Sequence, residues 1–167
     1  VYIGRMPETG KRQAKRLLEK EVAAQMAQQN YKYIVCIADG ARDLWRYFKR
    51  KYPKTIHVVD FFHVCEHLSN LSNLLFADSN QAKSWYKKYR TILKQDPQGA
   101  AKTIRAARYR RSLVKEHCEI ESEIKYLQHN KKRMNYFELR QKKLPIGSGV
   151  ANRNISTACS MRVAKRR

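Results

Sequence analysis

Two short apolar runs, each ending on an aspartate, constrain this chain more than any other feature. Ile34-Val35-Cys36-Ile37-Ala38 ends at Asp39-Gly40, and Ile56-His57-Val58-Val59 ends at Asp60. Runs this short and this rich in β-branched residues read as buried strands rather than helices. Between them Arg42 to Lys51 reads as a helix, stopped by Pro53. The predicted unit is β-α-β, with a carboxylate at the C-terminal end of each strand. In open α/β sheets ligands and metals usually sit at that edge. Asp-Gly is also a common turn dipeptide, so Asp39 taken alone reads as a turn residue. A second strand-end Asp in the same unit shifts the reading toward chemistry.

Charge sets the next constraint. The chain has 167 residues, enough for one domain or one domain with a sizeable insertion. It carries 36 Lys and Arg against 14 Asp and Glu, a formal charge of +22. Self-repulsion on that scale disfavours a compact state unless a polyanion offsets it. Nucleic acid, bound through phosphates with release of counterions, is the simplest such partner. A membrane surface is the competitor. No signal peptide and no apolar run near 18 residues is present, and the basic helices lack a lipid-facing stripe. Cys36, Cys65, Cys118 and Cys159 have no paired spacing, which points to reduced thiols in a cytosolic protein. His63-x-Cys65-x-His67 is the one metal-like cluster. At helical pitch, however, Cys65 points away from the face that His63 and His67 share, so zinc lacks a ligand set there.

In chain order, residues 1–10 open with a strand signal broken by Pro7 and Gly10. The abrupt start, without Met, suggests a fragment. Lys11 to Gln29 reads as a helix with Leu17, Leu18, Val22 and Met26 as its apolar stripe. Phe61 to Leu75 reads as a helix with Asp60 as N-cap. Phe61, Val64, Cys65, Leu68, Leu71 and Leu75 fall on one face, and His63, Glu66, His67 and Asn70 on the other. Glu66 and Asn70 read as solvated. His63 lies one turn beyond Asp60, whose carboxylate could hold its ring. Residues 76 to 143 carry no strand signal; Gln81–Gln95, Gly99–Val114 and Ile120–Lys142 read as helices. From Lys83 to Glu116 there are eleven Lys and Arg against two acids, interleaved with Tyr86, Tyr89 and Tyr109. Solvated helix surfaces usually mix signs, so this one reads as phosphate-tracking. Pro145, Gly147 and Gly149 make a turn whose amides could approach an anion. A last helix is predicted from about Val150 to Arg162.

These stretches together resemble a known family. The carriers are Tyr2-Ile3-Gly4-Arg5-Met6-Pro7-Glu8, then Ala38-Asp39-Gly40-Ala41 with Trp45, and then Asp60-Phe61-Phe62-His63 with Glu66-His67-Leu68. Tyr136, Leu139-Arg140 and Leu144-Pro145-Ile146-Gly147-Ser148-Gly149-Val150 complete the set. In this order and spacing they look like ISKra-type bacterial insertion-sequence transposases, within the Mutator-like DDE group. The resemblance implies an RNase H-like fold with an all-helical insertion. It also implies three carboxylates holding two Mg²⁺ about 4 Å apart, which cut a phosphodiester and transfer the freed 3′-hydroxyl. On that resemblance Asp39 is the second carboxylate and a metal ligand, and Asp60-x-x-His63 is the family's Cys/Asp-x-x-His signature. Asn152 stands where the family has its catalytic Glu. The family's first Asp lies upstream of Tyr2, and residues 1–38 contain no Asp.

The expectation is therefore an α/β (α+β) chain. Residues 1–62 would form a partial RNase H-like core, 63–143 a basic helical insertion, and 144–167 a turn and the returning helix. The expected function is DNA binding by a truncated or degenerate transposase that does not cleave DNA as given. A non-enzymatic nucleic-acid-binding module and a zinc-dependent structural protein are the alternatives. The expected DNA contacts are Lys87, Lys88, Arg90, Lys102, Arg105, Arg108, Arg110, Arg111, Lys131, Lys132, Arg133 and Arg162. Mg²⁺ is the cofactor that the family implies, DNA the partner, and a homodimer is compatible with the full-length protein. The expected location is the bacterial cytoplasm, with the nucleoid.

Overall fold

The computed structural model describes residues 2–5, 11–28, 30–115, 118–148 and 159–165. The chain is mixed α/β and divides into two compact units. One holds the residues up to Asp60 together with those from Leu144 on; the other runs from Phe61 to Lys143.

The first unit is built on a four-stranded sheet. Its strands are β1 (Tyr2–Arg5), β2 (Tyr31–Ala38), β3 (Ile56–Val59) and β4 (Cys159–Lys165), in the order β1-β4-β2-β3. β2 and β3 are parallel, with Val35 opposite Ile56 and Ala38 opposite Val59. Parallel neighbours need a crossover, and α2 (Arg42–Lys51) supplies it, while α1 (Lys11–Gln28) precedes β2. Trp45 and Phe48 of α2 are buried, as are Val35 to Ala38 of β2 and Val58 and Val59 of β3. Trp45 stacks on His57 of β3 with ring centroids 6.0 Å apart. A run buried on both faces is why β2 reads as continuous apolar sequence rather than alternation. On α1 the buried stripe is narrower than the pattern suggests. Leu18 and Val22 are buried, but Leu17 and Met26 are 37% and 49% exposed.

β4 corrects one expectation. A helix was predicted to run to Arg162, and residues 159–165 instead form a strand antiparallel to both neighbours. Arg162 lies opposite Tyr2 on one side and Val35 on the other. Cys159, Met161 and Val163 alternate with Ser160 and Arg162 at the two-residue period of a strand. The central strand β2 also has backbone donors and acceptors to satisfy on this side. Residues 150–158, including Asn152, lie outside the described residues.

The second unit is helical: α3 (Phe61–Leu75), α4 (Ser79–Gln95), α5 (Gly99–Arg111), α6 (Cys118–Asn130), a 3₁₀ turn (Lys131–Arg133) and α7 (Tyr136–Gln141). All six residues assigned to the apolar face of α3 are buried. Phe61 meets the fully buried Tyr136 edge to face at 5.1 Å. Asp78 caps α4 by accepting from the Gln81 amide at 2.7 Å. Gly99 begins α5 because nothing larger fits: a Cβ there would stand 2.5 Å from the Ile92 carbonyl oxygen. The single helix expected over Ile120–Lys142 is broken at Asn130, whose side-chain amide donates to the Tyr126 carbonyl. Among the described residues no helix is long and apolar enough to cross a membrane.

Candidate functional site

The register of β2 and β3 decides where the two aspartates stand. Ala38 pairs with Val59, so Asp39 and Asp60 leave adjacent parallel strands side by side. Neighbouring strands lie about 4.8 Å apart. The Asp60 amide donates to the Ala38 carbonyl at 2.8 Å, which carries the ladder one residue further.

The two carboxylates differ in their surroundings. Asp39 is partly exposed, and its Oδ1 accepts from the Ala41 amide at 3.0 Å, closing an Asx turn. Gly40 in that turn has φ of 106°, a conformation that favours glycine over any residue with a Cβ. Asp60 is buried, as is Ser148. Asp60 Oδ2 accepts from the Ser148 amide at 2.8 Å and also from the Ser148 hydroxyl. The turn over Leu144 to Val150 was expected to offer amides to an anion, and its described part ends at Ser148. Its Ser148 amide meets an internal one, the Asp60 carboxylate, from 88 residues away in sequence.

An RNase H-like two-metal centre needs several oxygen donors converging on one point. The described residues bring two carboxylates to this edge, fewer than such a centre uses. Asp39 Oδ1 and Asp60 Oδ2 are committed to protein donors. Among the described residues no three of His, Cys, Asp and Glu stand where they could share a cation.

In the helical unit the polar face of α3 is paired to α6. His67 Nδ1 and Glu123 Oε2 are 2.6 Å apart, and the His67 ring stacks on Tyr126 at 3.6 Å. His63 Nδ1 bonds to Glu66 Oε2 at 3.0 Å, and its ring meets that of His67 edge to face at 4.8 Å. Carboxylates on both Nδ1 atoms fix the ring orientations. Cys65 points away from these rings, as its place on the helix requires. It is buried, and burial pushes its thiol pKa up. Glu123 and Tyr126 have no signal in the sequence that ties them to His67, because the pairing depends on how α3 and α6 pack.

The cations divide by what surrounds them. α4 and α5 together hold ten Lys and Arg and no Asp or Glu. Lys83, Lys87, Lys88, Arg105 and Arg108 are exposed. With its side-chain amide oriented to satisfy both groups, Gln128 accepts from Arg108 Nε and Nη2 at 2.6 Å each. Others expected on DNA are committed inside the unit. Arg90 lies 5.7 Å from the centre of the Phe61 ring, and Arg110 4.3 Å from that of Phe76. Arg111 Nε donates to Glu121 at 2.5 Å, and Lys102 bridges to Asp96. Lys131 and Lys132 are exposed on the 3₁₀ turn; Arg133 is half-buried, and desolvation lowers its pKa. No protein-family model, curated protein or solved structure matches the chain.

Proposed function

We propose that the chain is a DNA-binding domain of transposase descent, with an RNase H-like sheet unit, that does not itself cut DNA. The observation that carries the DNA reading is on α4 and α5, helices with ten cations and no acid, of which Lys83, Lys87, Lys88, Arg105 and Arg108 stand exposed. The descent rests on the resemblance, and the side-by-side strand-end aspartates support it. The loss of cleavage rests on the same resemblance: Asn152 stands where the family has its catalytic Glu, and residues 1–38 hold no Asp.

Salt titration of binding to a labelled duplex tests the reading. If the five exposed cations of α4 and α5 each neutralise one phosphate, log K falls with log salt at a slope of about −4.5. Affinity then drops about 500-fold between 50 and 200 mM salt. A flat response refutes DNA binding. Mg²⁺-dependent nicking by these 167 residues that disappears in Asp39→Ala refutes the loss of cleavage.

A further inference from the structure

The outer face of α5 carries something that phosphate binding does not need. Tyr109 is 69% exposed, and Leu113, in the turn just past the helix end at Arg111, is 55% exposed. They are two of the five large hydrophobic side chains exposed among the described residues. Tyr109 stands beside cations: Arg105 lies one turn before it, and Arg108 immediately precedes it. Arg105 and Arg108 are exposed, and α5 has no acid. Four residues along a helix put Arg105 and Tyr109 about 6 Å apart in rise and on one side.

We infer that this face binds unpaired DNA, with Tyr109 as a stacking platform for a base and Arg105 and Arg108 on the flanking phosphates. The proposal rests on the DNA reading above and narrows its substrate. Cations grip a duplex through its phosphates; a tyrosine can add a hydroxyl contact there, but the face of its ring adds nothing. A ring gains only when a base face is open to it, as in a single strand or a melted step.

Fluorescence anisotropy with a 20-nucleotide oligothymidylate and with a blunt duplex of equal length tests this. Tyr109→Ala weakens single-strand binding about tenfold and leaves duplex binding within twofold. Tyr109→Phe keeps the ring and retains single-strand affinity. Arg105→Ala weakens both ligands. Equal effects of Tyr109→Ala on the two ligands, or no effect on either, overturn the stacking proposal while salt-sensitive binding by the parent chain upholds the DNA reading. Failure of the parent chain to bind either ligand overturns both. Tyr109 is exposed, so its variants keep the fold, and thermal melting by circular dichroism confirms it.

Discussion

The bond between Asp60 and Ser148 makes the most quantitative claim. Asp60→Ala removes the acceptor for two buried donors, the Ser148 amide and hydroxyl. Hydrogen bonds to a charged group contribute about 1.5–3 kcal/mol each. Stranding both donors therefore costs about 3–5 kcal/mol. Ser148→Ala removes only the hydroxyl bond and keeps the amide bond, at about 1.5–3 kcal/mol. In the double variant the hydroxyl is already gone, so Asp60→Ala costs about 2 kcal/mol less than in the parent chain. Urea unfolding followed by tryptophan fluorescence measures all four corners of the cycle. The chain has two tryptophans: Trp45 is buried in the sheet unit, and Trp85 packs on Tyr89 in the helical unit. A Trp85→Phe background therefore makes the signal report the sheet unit alone. Costs that add to within about 0.5 kcal/mol, the behaviour of independent sites, would refute the argument. So would an Asp60→Ala cost below about 1 kcal/mol.

Three further outcomes follow from other contacts. Gly99→Ala destabilises the helical unit by about 1–3 kcal/mol, because the new Cβ meets backbone atoms of Ile92 and Leu93 that have no room to give; thermal melting of the variant checks it. Cys36 is buried and burial pushes its thiol up to about 11, whereas Cys118 is exposed. Iodoacetamide at pH 8 should label Cys118 in the folded protein and reach Cys36 only after denaturation, as read by mass spectrometry. Glu19 is held below its ordinary pKa of 4.5, first by its hydrogen bond from Lys51. A lowered carboxylate pKa gives stability that is present above the ordinary value and lost as pH falls through the folded value. The melting-temperature gap between the parent chain and Glu19→Gln should shrink from pH 6 to pH 3, and a gap that widens contradicts the assignment.

Local chemistry made much of the architecture readable. α2, β3 and α3 begin and end where periodicity, Pro53 and the strand-end aspartates place them. These signals are short-range, and the side chains that carry them act within a few residues. β4 was missed because its alternation is brief and its stability comes from β1 and β2, which lie more than 120 residues earlier. The break at Asn130 was missed because a polar residue within a helical pattern gives no sign that its amide will turn back on Tyr126. The site divides in the same way. The juxtaposition of Asp39 and Asp60 follows from two runs and a crossover. Asp60 with Ser148, and His67 with Glu123, span 88 and 56 residues and depend on packing that no local pattern encodes. The cationic helices were visible as a charge excess. Which cations are committed to Phe61, Phe76, Asp96 and Glu121 was not.

The place of β4 in the sheet has a kinetic consequence. The helical unit is one continuous stretch whose contacts are mostly close in sequence, so it can form within its own span on the timescale of local structure. The sheet unit must wait for the far C-terminal strand to slot between β1 and β2, and closing so long a loop is slow. On a ribosome the helices would be finished while the sheet still lacked the strand between β1 and β2. In a refolding experiment the two units should therefore recover at separate rates, the helical one first.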